Sequence, residues 1–228
     1  MSGLHQETRN TIFYKTQLLT RRWISEDAFE IRFSRPLTFE FVPGQRVRFM
    51  QDAVERDYTP VSSPKEEGID FLVKSVKGGL FSSALASAQE GAPFGFTGPH
   101  GYFRFYPSER LPVFVATGTG VAPFVSMARA GVKDFVLLHG VRRSLDLYYE
   151  PLFRKSAALY VPCLSAVQDP REGVPDAFAG RVTGYLANHL TSGTYDFYLC
   201  GNEEMIRNVI LLVDQRFPDS LVYTEPFY

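Results

Sequence analysis

Up to about residue 106, apolar positions alternate with polar ones in short runs set off by turn residues. The runs are "TIFYKTQLL" from Thr11, "AFEIRFS" from Ala28, "QRVRFM" from Gln45, "IDFLVKSV" from Ile69 and "APFGFTG" from Ala92. A period of two turns one face of each strand inward, which predicts an antiparallel sheet or barrel. "GLFSSALASAQ" from Gly79 breaks the pattern and reads as a helix. Beyond residue 110 the pattern becomes apolar strand, turn, amphipathic helix. "PVFVAT" leads into "GVAPFVSMARAG", "DFVLLHGV" into "YYEPLFRKSAAL", "YVPCLSA" into "GYLANHL" and "YDFYLCG" into "EEMIRNVILLVDQ", with "LVYTEPFY" at the end. Strands alternating with helices predict a parallel sheet with right-handed crossovers. The change falls in "YPSERLP", between Tyr106 and Leu111. The expected architecture is therefore an antiparallel β-barrel domain over residues 1–108, followed by an α/β parallel-sheet domain over 109–228.

Composition narrows the function more than the fold. With 45% hydrophobic and 14% aromatic residues among 228, a packed core is expected. The net charge is −1, from 24 basic and 25 acidic residues, so no global field draws the chain to nucleic acid or to an anionic membrane. No apolar run approaches the ~20 residues that span a bilayer, and the N-terminus does not look like a leader; a soluble, cytoplasmic protein is expected. The two cysteines, Cys163 and Cys200, lack the spacing of a zinc site or the four thiolates of an iron–sulfur cluster. Any such cluster would belong to a partner.

Three stretches carry candidate chemistry. "RDYTPVSSP", Arg56 to Pro64, groups one fixed cation, one aromatic face and several short hydroxyls. An arginine fork suits a pyrophosphate, a tyrosine ring a flat heterocycle, and a hydroxyl a heteroatom at its edge. The same stretch also fits an edge strand in which Arg56 pairs with Glu55 or Asp57. "VFVATGTGVAP", Val113 to Pro123, is a buried strand entering a helix through Gly118-Thr119-Gly120. Such a turn lets backbone approach a dinucleotide phosphate, or simply makes a tight strand-to-helix connection. "FYLCGNEEM", Phe197 to Met205, puts Cys200 and Gly201 at a strand's carboxyl end, where open parallel sheets bind ligands.

In this order the three stretches resemble the ferredoxin–NADP reductase family of flavoproteins, along nearly the whole chain. Arg56-Asp57-Tyr58-Thr59 with Ser62 is similar to the family's RxY[ST]xxS flavin motif. The resemblance implies that Arg56 holds the FAD pyrophosphate, Tyr58 packs on the isoalloxazine and Thr59 hydrogen-bonds near flavin N5, with Ser62 ordering the same edge. Val73, Lys74 and Ser75 resemble the strand that passes the ring and ribityl chain. Gly79, Leu80, Phe81 and Ser82 look like the GxxS helix start that offers amides and a hydroxyl to phosphate. "GPHGYF" from Gly98 is similar to the GPxGxF turn. Thr117, Gly118, Thr119, Gly120 and Pro123 match the pyridine-nucleotide loop, and Cys200-Gly201, with Met205 further on, the CG motif beside the nicotinamide.

At the C-terminus, "TEPFY" resembles the aromatic tail that covers the flavin. Glu225 and Cys200 would shape the nicotinamide site, and either Phe227 or Tyr228 would be the covering ring. Where NADPH-specific members carry a Ser-Arg pair, this chain has Gln168 and Asp169, which favours the ribose diol of NADH. Arg142, Arg143 and Arg171 on nearby loops could instead meet a 2′-phosphate. The implied activity is hydride transfer from NAD(P)H to FAD, then single electrons onward to a carrier such as ferredoxin or flavodoxin. A basic rim containing Arg46, Arg48 and Arg104 would suit a ferredoxin. The alternatives are a reductase that uses flavin as a substrate and a non-catalytic flavin-binding electron-transfer subunit. No metal site is expected, and His100, within the flavin-side turn, is the histidine of interest, although its position also fits a solvated loop.

Overall fold

A computed structural model describes residues 12–51, 54–166, 174 and 176–227. Among these, twelve strands form two six-stranded sheets. The first contains β1 (Phe13–Trp23), β2 (Ala28–Ser34), β3 (Arg46–Gln51), β4 (Val54–Tyr58), β5 (Gly68–Lys74) and β6 (Pro93–His100), in spatial order β4-β3-β6-β1-β2-β5. Every pairing is antiparallel. Pro60, just past β4, bridges to Phe71 on β5, so the two edges approach each other and the sheet curls into a barrel. The alternation seen in the sequence points Tyr14, Leu18, Phe33, Phe49 and Phe96 into its interior. Their rings meet at steep angles, as in the pair Phe49 and Phe71 at 5.2 Å and 78°. Helix α1 (Leu80–Ser87) closes one side with Phe81 and Leu85.

β5 is buried along Gly68–Val73, on both faces. Ile69, Phe71 and Val73 belong to the barrel core, whereas Leu72 packs in a core shared with the second sheet. That second sheet comprises β7 (Leu111–Thr117), β8 (Val136–Val141), β9 (Leu159–Leu164), β10 (Phe178–Ala179), β11 (Tyr195–Gly201) and β12 (Leu221–Pro226). Its order is β10-β9-β8-β7-β11-β12, with all strands parallel. Helices α2 (Ala122–Arg129) and α3 (Glu150–Ser156) cover one face against Phe114, Phe135 and Tyr198; α4 (Val182–His189) and α5 (Glu203–Arg216) cover the other against Val115, Leu138 and Phe197. From central β7 the chain steps outward to β10, then returns to β7's opposite flank as β11. The crevice beyond the carboxyl ends of β7 and β11 is thus the switch point of the sheet.

The antiparallel barrel and the parallel sheet follow the expected order. Two strands are weakly marked in the sequence, the first being the edge strand that the "RDYTPVSSP" stretch also fitted. β4 has mostly exposed side chains, so no alternation marks it, and it is a strand because β3 pairs with it. β10 is two residues paired with β9. No helix among the described residues is long and apolar enough to cross a membrane.

Candidate functional site

A cleft of about 820 Å³ lies between the barrel and the second sheet. Its walls combine the end of β4 (Arg56, Asp57, Tyr58) and the following Thr59, Leu72 and Lys74 on β5, the start of α1 (Gly79 to Ser82), Thr119 and Ala122 of the glycine turn, and Glu225, Pro226 and Phe227. Arg56 is exposed and makes no ion pair among the described residues; its Nη1 donates to the Glu55 carbonyl at 2.7 Å. Tyr58 is largely buried, its ring 6.0 Å from Phe49 and 5.9 Å from Phe81, and burial pushes its hydroxyl up to about 12 against the pull of Arg56. Thr59 is buried, and its Oγ1 has no hydrogen-bond partner. Buried hydroxyls without partners are uncommon because each costs free energy, so this one fits a ligand atom supplied from the cleft.

α1 begins beside these groups without a side-chain cap or an acidic residue in its first turn. The amides of Leu80, Phe81 and Ser82 have no carbonyl within the helix to bond. A helix start in this state favours an anion. Ser82 Oγ accepts from the Val76 amide at 3.2 Å and keeps its own proton to donate. A phosphate-bearing flavin nucleotide therefore fits the donor set: a free guanidinium, open amides, an aromatic face and an unpaired hydroxyl.

On the other wall, β7 passes through a 3-10 turn, Gly118–Val121, into α2. Its two glycines have different work. Gly118 has φ +54, and a Cβ there would meet nothing within 4 Å, so it faces open space. Gly120 is pressed against the end of β11, where a Cβ would lie 2.5 Å from the Cys200 carbonyl oxygen. Gly201, at φ +132, is crowded by Thr117 in the same way. Thr117 Oγ1 accepts from the Asn202 amide at 2.9 Å, and the Phe227 amide donates to the Gly201 carbonyl at 3.0 Å. The two loops and the C-terminal segment thus hold one another.

Glu225 forms a salt bridge with Arg46 of β3 across the gap between the sheets. Burial raises the Glu225 carboxyl above its ordinary range, and Arg46 opposes the rise. Arg46 also contacts Asp57 at 2.9 Å, and Arg48 reaches Asp57 at 2.7 Å. Against partial burial, these guanidiniums hold Asp57 below the usual carboxylate range. The Arg46–Glu225 pair also borders a second cleft of about 630 Å³, lined by His100, Tyr102, Tyr106 and Tyr223. His100 Nε2 lies 3.0 Å from Thr97 Oγ1, and burial lowers its pKa.

Several expected site residues are placed elsewhere or are engaged by other side chains. Ser62 is fully buried away from the cleft: its Oγ accepts from the Asp70 amide at 3.1 Å and its carbonyl accepts from Ser126 at 2.7 Å. Val73 points into the barrel core, and the Ser75 amide donates to the Asp27 carbonyl at 2.7 Å. Pro123 is buried in the first turn of α2, where its fixed φ and missing donor suit a helix start. Met205 packs under the second sheet, its amide bonded to Asn202 Oδ1 at 3.2 Å. The Cys200 side chain is fully buried in the shared core, and burial lifts its thiol well above the usual value. Its carbonyl packs against Gly120. Asp57 is taken up by Arg46 and Arg48, which removes both arginines as free cations for a basic rim. Lys74 pairs with Asp27 at 3.1 Å and Arg143 with Asp146 at 3.5 Å, while Arg142 is exposed without an ion pair among the described residues. Gln168, Asp169, Arg171 and Tyr228 lie outside the described residues. Sequence reasoning missed Leu72, Val76, Ala122 and Pro226 as cleft walls, because nothing in an apolar side chain marks a lining role.

Two family profiles match this chain in tandem, the oxidoreductase FAD-binding domain over residues 15–105 and the oxidoreductase NAD-binding domain over 114–210. A ferredoxin–NADP reductase B of Sorangium cellulosum is 29% identical over 85% of this chain and 88% of its own length. The chain belongs to the ferredoxin–NADP reductase family. Within that family it is 31% identical to a toluate 1,2-dioxygenase electron transfer component of Pseudomonas putida, over 86% of this chain and 62% of that protein. It likewise spans 63% of a xylene/toluene monooxygenase electron transfer component from the same organism. The chain thus spans a little over three fifths of the length of these two relatives. Among solved structures, a ferredoxin NADP+ reductase from Neisseria gonorrhoeae with bound FAD and NADP superposes with a TM-score of 0.80 at 20% identity, over 95% of this chain and 99% of that one. At that identity the likeness is one of fold.

Proposed function

We propose that this family member holds FAD in the cleft, oxidises NADH or NADPH there, and passes electrons to a separate carrier such as a ferredoxin or flavodoxin. The observation that carries the reading is the convergence on one cleft of groups from both sheets, around a buried threonine hydroxyl with no partner. We assign residues 1–108 to the flavin-binding domain and 109–228 to the nucleotide-binding domain. Arg56 and the first turn of α1, Gly79 to Ser82, would hold the pyrophosphate, Tyr58 would face the ring, and Thr59 would donate or accept at its polar edge. Gly118 and Thr119, beside open space, would admit the nicotinamide nucleotide, and Phe227 would cover the ring until it arrives. Flavin supplies two-electron acceptance from a nicotinamide and one-electron release to a carrier. The chain's own contribution is position: holding reacting atoms at ~3–3.5 Å supplies several kcal/mol of the barrier. Relatives whose names describe dioxygenase or monooxygenase electron transfer components support a protein acceptor. Two unpaired cysteines suit a reducing compartment, and we place the protein in the cytoplasm.

The test is an absorption spectrum of desalted protein, followed without oxygen by NADH and then NADPH. A retained flavin spectrum that bleaches with one of them is expected and names the donor. A colourless protein that nevertheless oxidises nucleotide only when free flavin is added would overturn the carrier-reductase reading in favour of flavin as substrate.

A further inference from the structure

The two walls of the cleft are joined by side chains of α2 that the proposed chemistry leaves unused. α2 starts at the glycine turn, where Ala122 lines the cleft. One helical turn later Ser126, fully buried, donates to the Ser62 carbonyl at 2.7 Å. At the helix end Arg129 Nη1 donates to the Val61 carbonyl at 3.1 Å. Val61 and Ser62 follow Thr59 and Pro60 directly, so α2 grips the backbone that carries the flavin-facing residues.

The barrel side of this grip is braced. The Val61 amide donates to the Asp70 carbonyl at 2.7 Å, and the Asp70 amide to Ser62 Oγ at 3.1 Å. Arg32 binds the Asp70 carboxylate through Nε at 2.6 Å and Nη2 at 2.8 Å, and Arg129 approaches it at 3.7 Å. Arg129 also lies 3.6 Å from Glu30 and 5.3 Å from the ring of Tyr149, whose hydroxyl donates to Glu30 at 2.5 Å. Rigid elements with satisfied hydrogen bonds set geometry more closely than loops do.

We propose that Ser126 and Arg129 are positioning residues for transfer between nucleotide and flavin: α2 is a ruler that sets the distance from the Gly118–Gly120 turn to the Tyr58–Thr59 edge. The inference rests on the functional reading above. Neither residue lines the cleft, so each acts through the loop it holds.

Ser126→Ala and Arg129→Met, loaded with FAD, test it through four readouts. These are FAD dissociation by fluorescence, binding of ADP-ribose (which lacks the nicotinamide), the long-wavelength absorbance of a nicotinamide stacked on flavin, and the rate of flavin bleaching at saturating nucleotide. FAD and ADP-ribose affinities are expected to stay within about twofold, while the absorbance falls and bleaching slows by about tenfold or more, since displacement of order 1 Å costs up to about a hundredfold. Ser126→Thr, which restores the hydroxyl, should recover most of the rate. Unchanged bleaching and absorbance would overturn the inference, as would a rate loss fully accounted for by FAD release. If Ser126→Ala fails to fold, Arg129→Lys, which keeps charge but loses the fork, is read the same way. Parent protein that binds no flavin, or is never bleached, would instead remove the functional reading and the inference with it.

Discussion

Thr59 has the plainest chemical meaning of any residue in the cleft. Its hydroxyl is buried and unpaired, which costs about 1–3 kcal/mol in the free protein. Thr59→Val keeps the shape and removes the hydroxyl, so the flavin-free variant should melt no lower than the parent while its FAD affinity falls; calorimetry beside a fluorescence titration checks both. Arg56 makes the complementary prediction. With no carboxylate partner among the described residues, it is the open cation of the cleft, and Arg56→Gln should weaken FAD by about 1.5–3 kcal/mol, the range of a hydrogen bond to a charged group. The melting temperature without FAD should scarcely move, because no fold contact but the Glu55 carbonyl is lost. Both residues were legible in the sequence as a motif. Ser62, in the same motif, was not legible in its role, because a serine's partner depends on what packs over it, and here that is Asp70 and Ser126.

At the scale of elements, the glycine turn and the end of β11 act as one unit. A Cβ on Gly120 would collide with the Cys200 carbonyl, backbone that cannot swing aside, so Gly120→Ala should destabilise the protein by about 1–3 kcal/mol, as overpacking does, and loosen both loops. Gly118→Ala meets open space and carries only the left-handed backbone cost of about 1–2 kcal/mol. The informative measurement compares melting temperature with nucleotide binding: Gly118→Ala should affect binding more than its melting shift suggests, and Gly120→Ala should lose both together. The sequence shows the two glycines as equivalent members of GTG. Their difference arises because β11 lies beside β7, a neighbour distant along the chain.

At the scale of the whole molecule, stability should be acid-sensitive through His139. It sits on β8 fully buried, Nδ1 3.1 Å from Tyr160 Oη, while Nε2 completes no hydrogen bond. Burial lowers its pKa from 6.5 to about 4, and the Gly118 backbone offsets part of that. The unfolded chain therefore binds a proton below pH 6.5 that the folded chain refuses until about pH 4. Above pH 6.5 the effect vanishes; as pH falls from 7 to 5 it should remove about 2 kcal/mol. His139→Leu should flatten this part of the pH–stability curve, measured by denaturant titration at both values. An equally steep loss in the variant would assign the acid sensitivity to other groups.

The two sheets, their order along the chain and the short motifs at the cleft were all legible in the residue pattern. Those features rest on local physics: a period of two makes a half-buried strand, strand-to-helix alternation makes a parallel sheet, and glycines mark turns that side chains would block. Which polar groups remain open was settled by folding. Arg46, Arg48 and Asp57 were each chemically suited to meet a ligand or partner, yet they satisfy one another, and Arg46 is claimed again by Glu225 from the far end of the chain. Arg56, one position from Asp57, is left to the cleft. A side chain's availability depends on which charges long-range folding brings within about 4 Å, and no pattern of neighbours along the chain contains that distance.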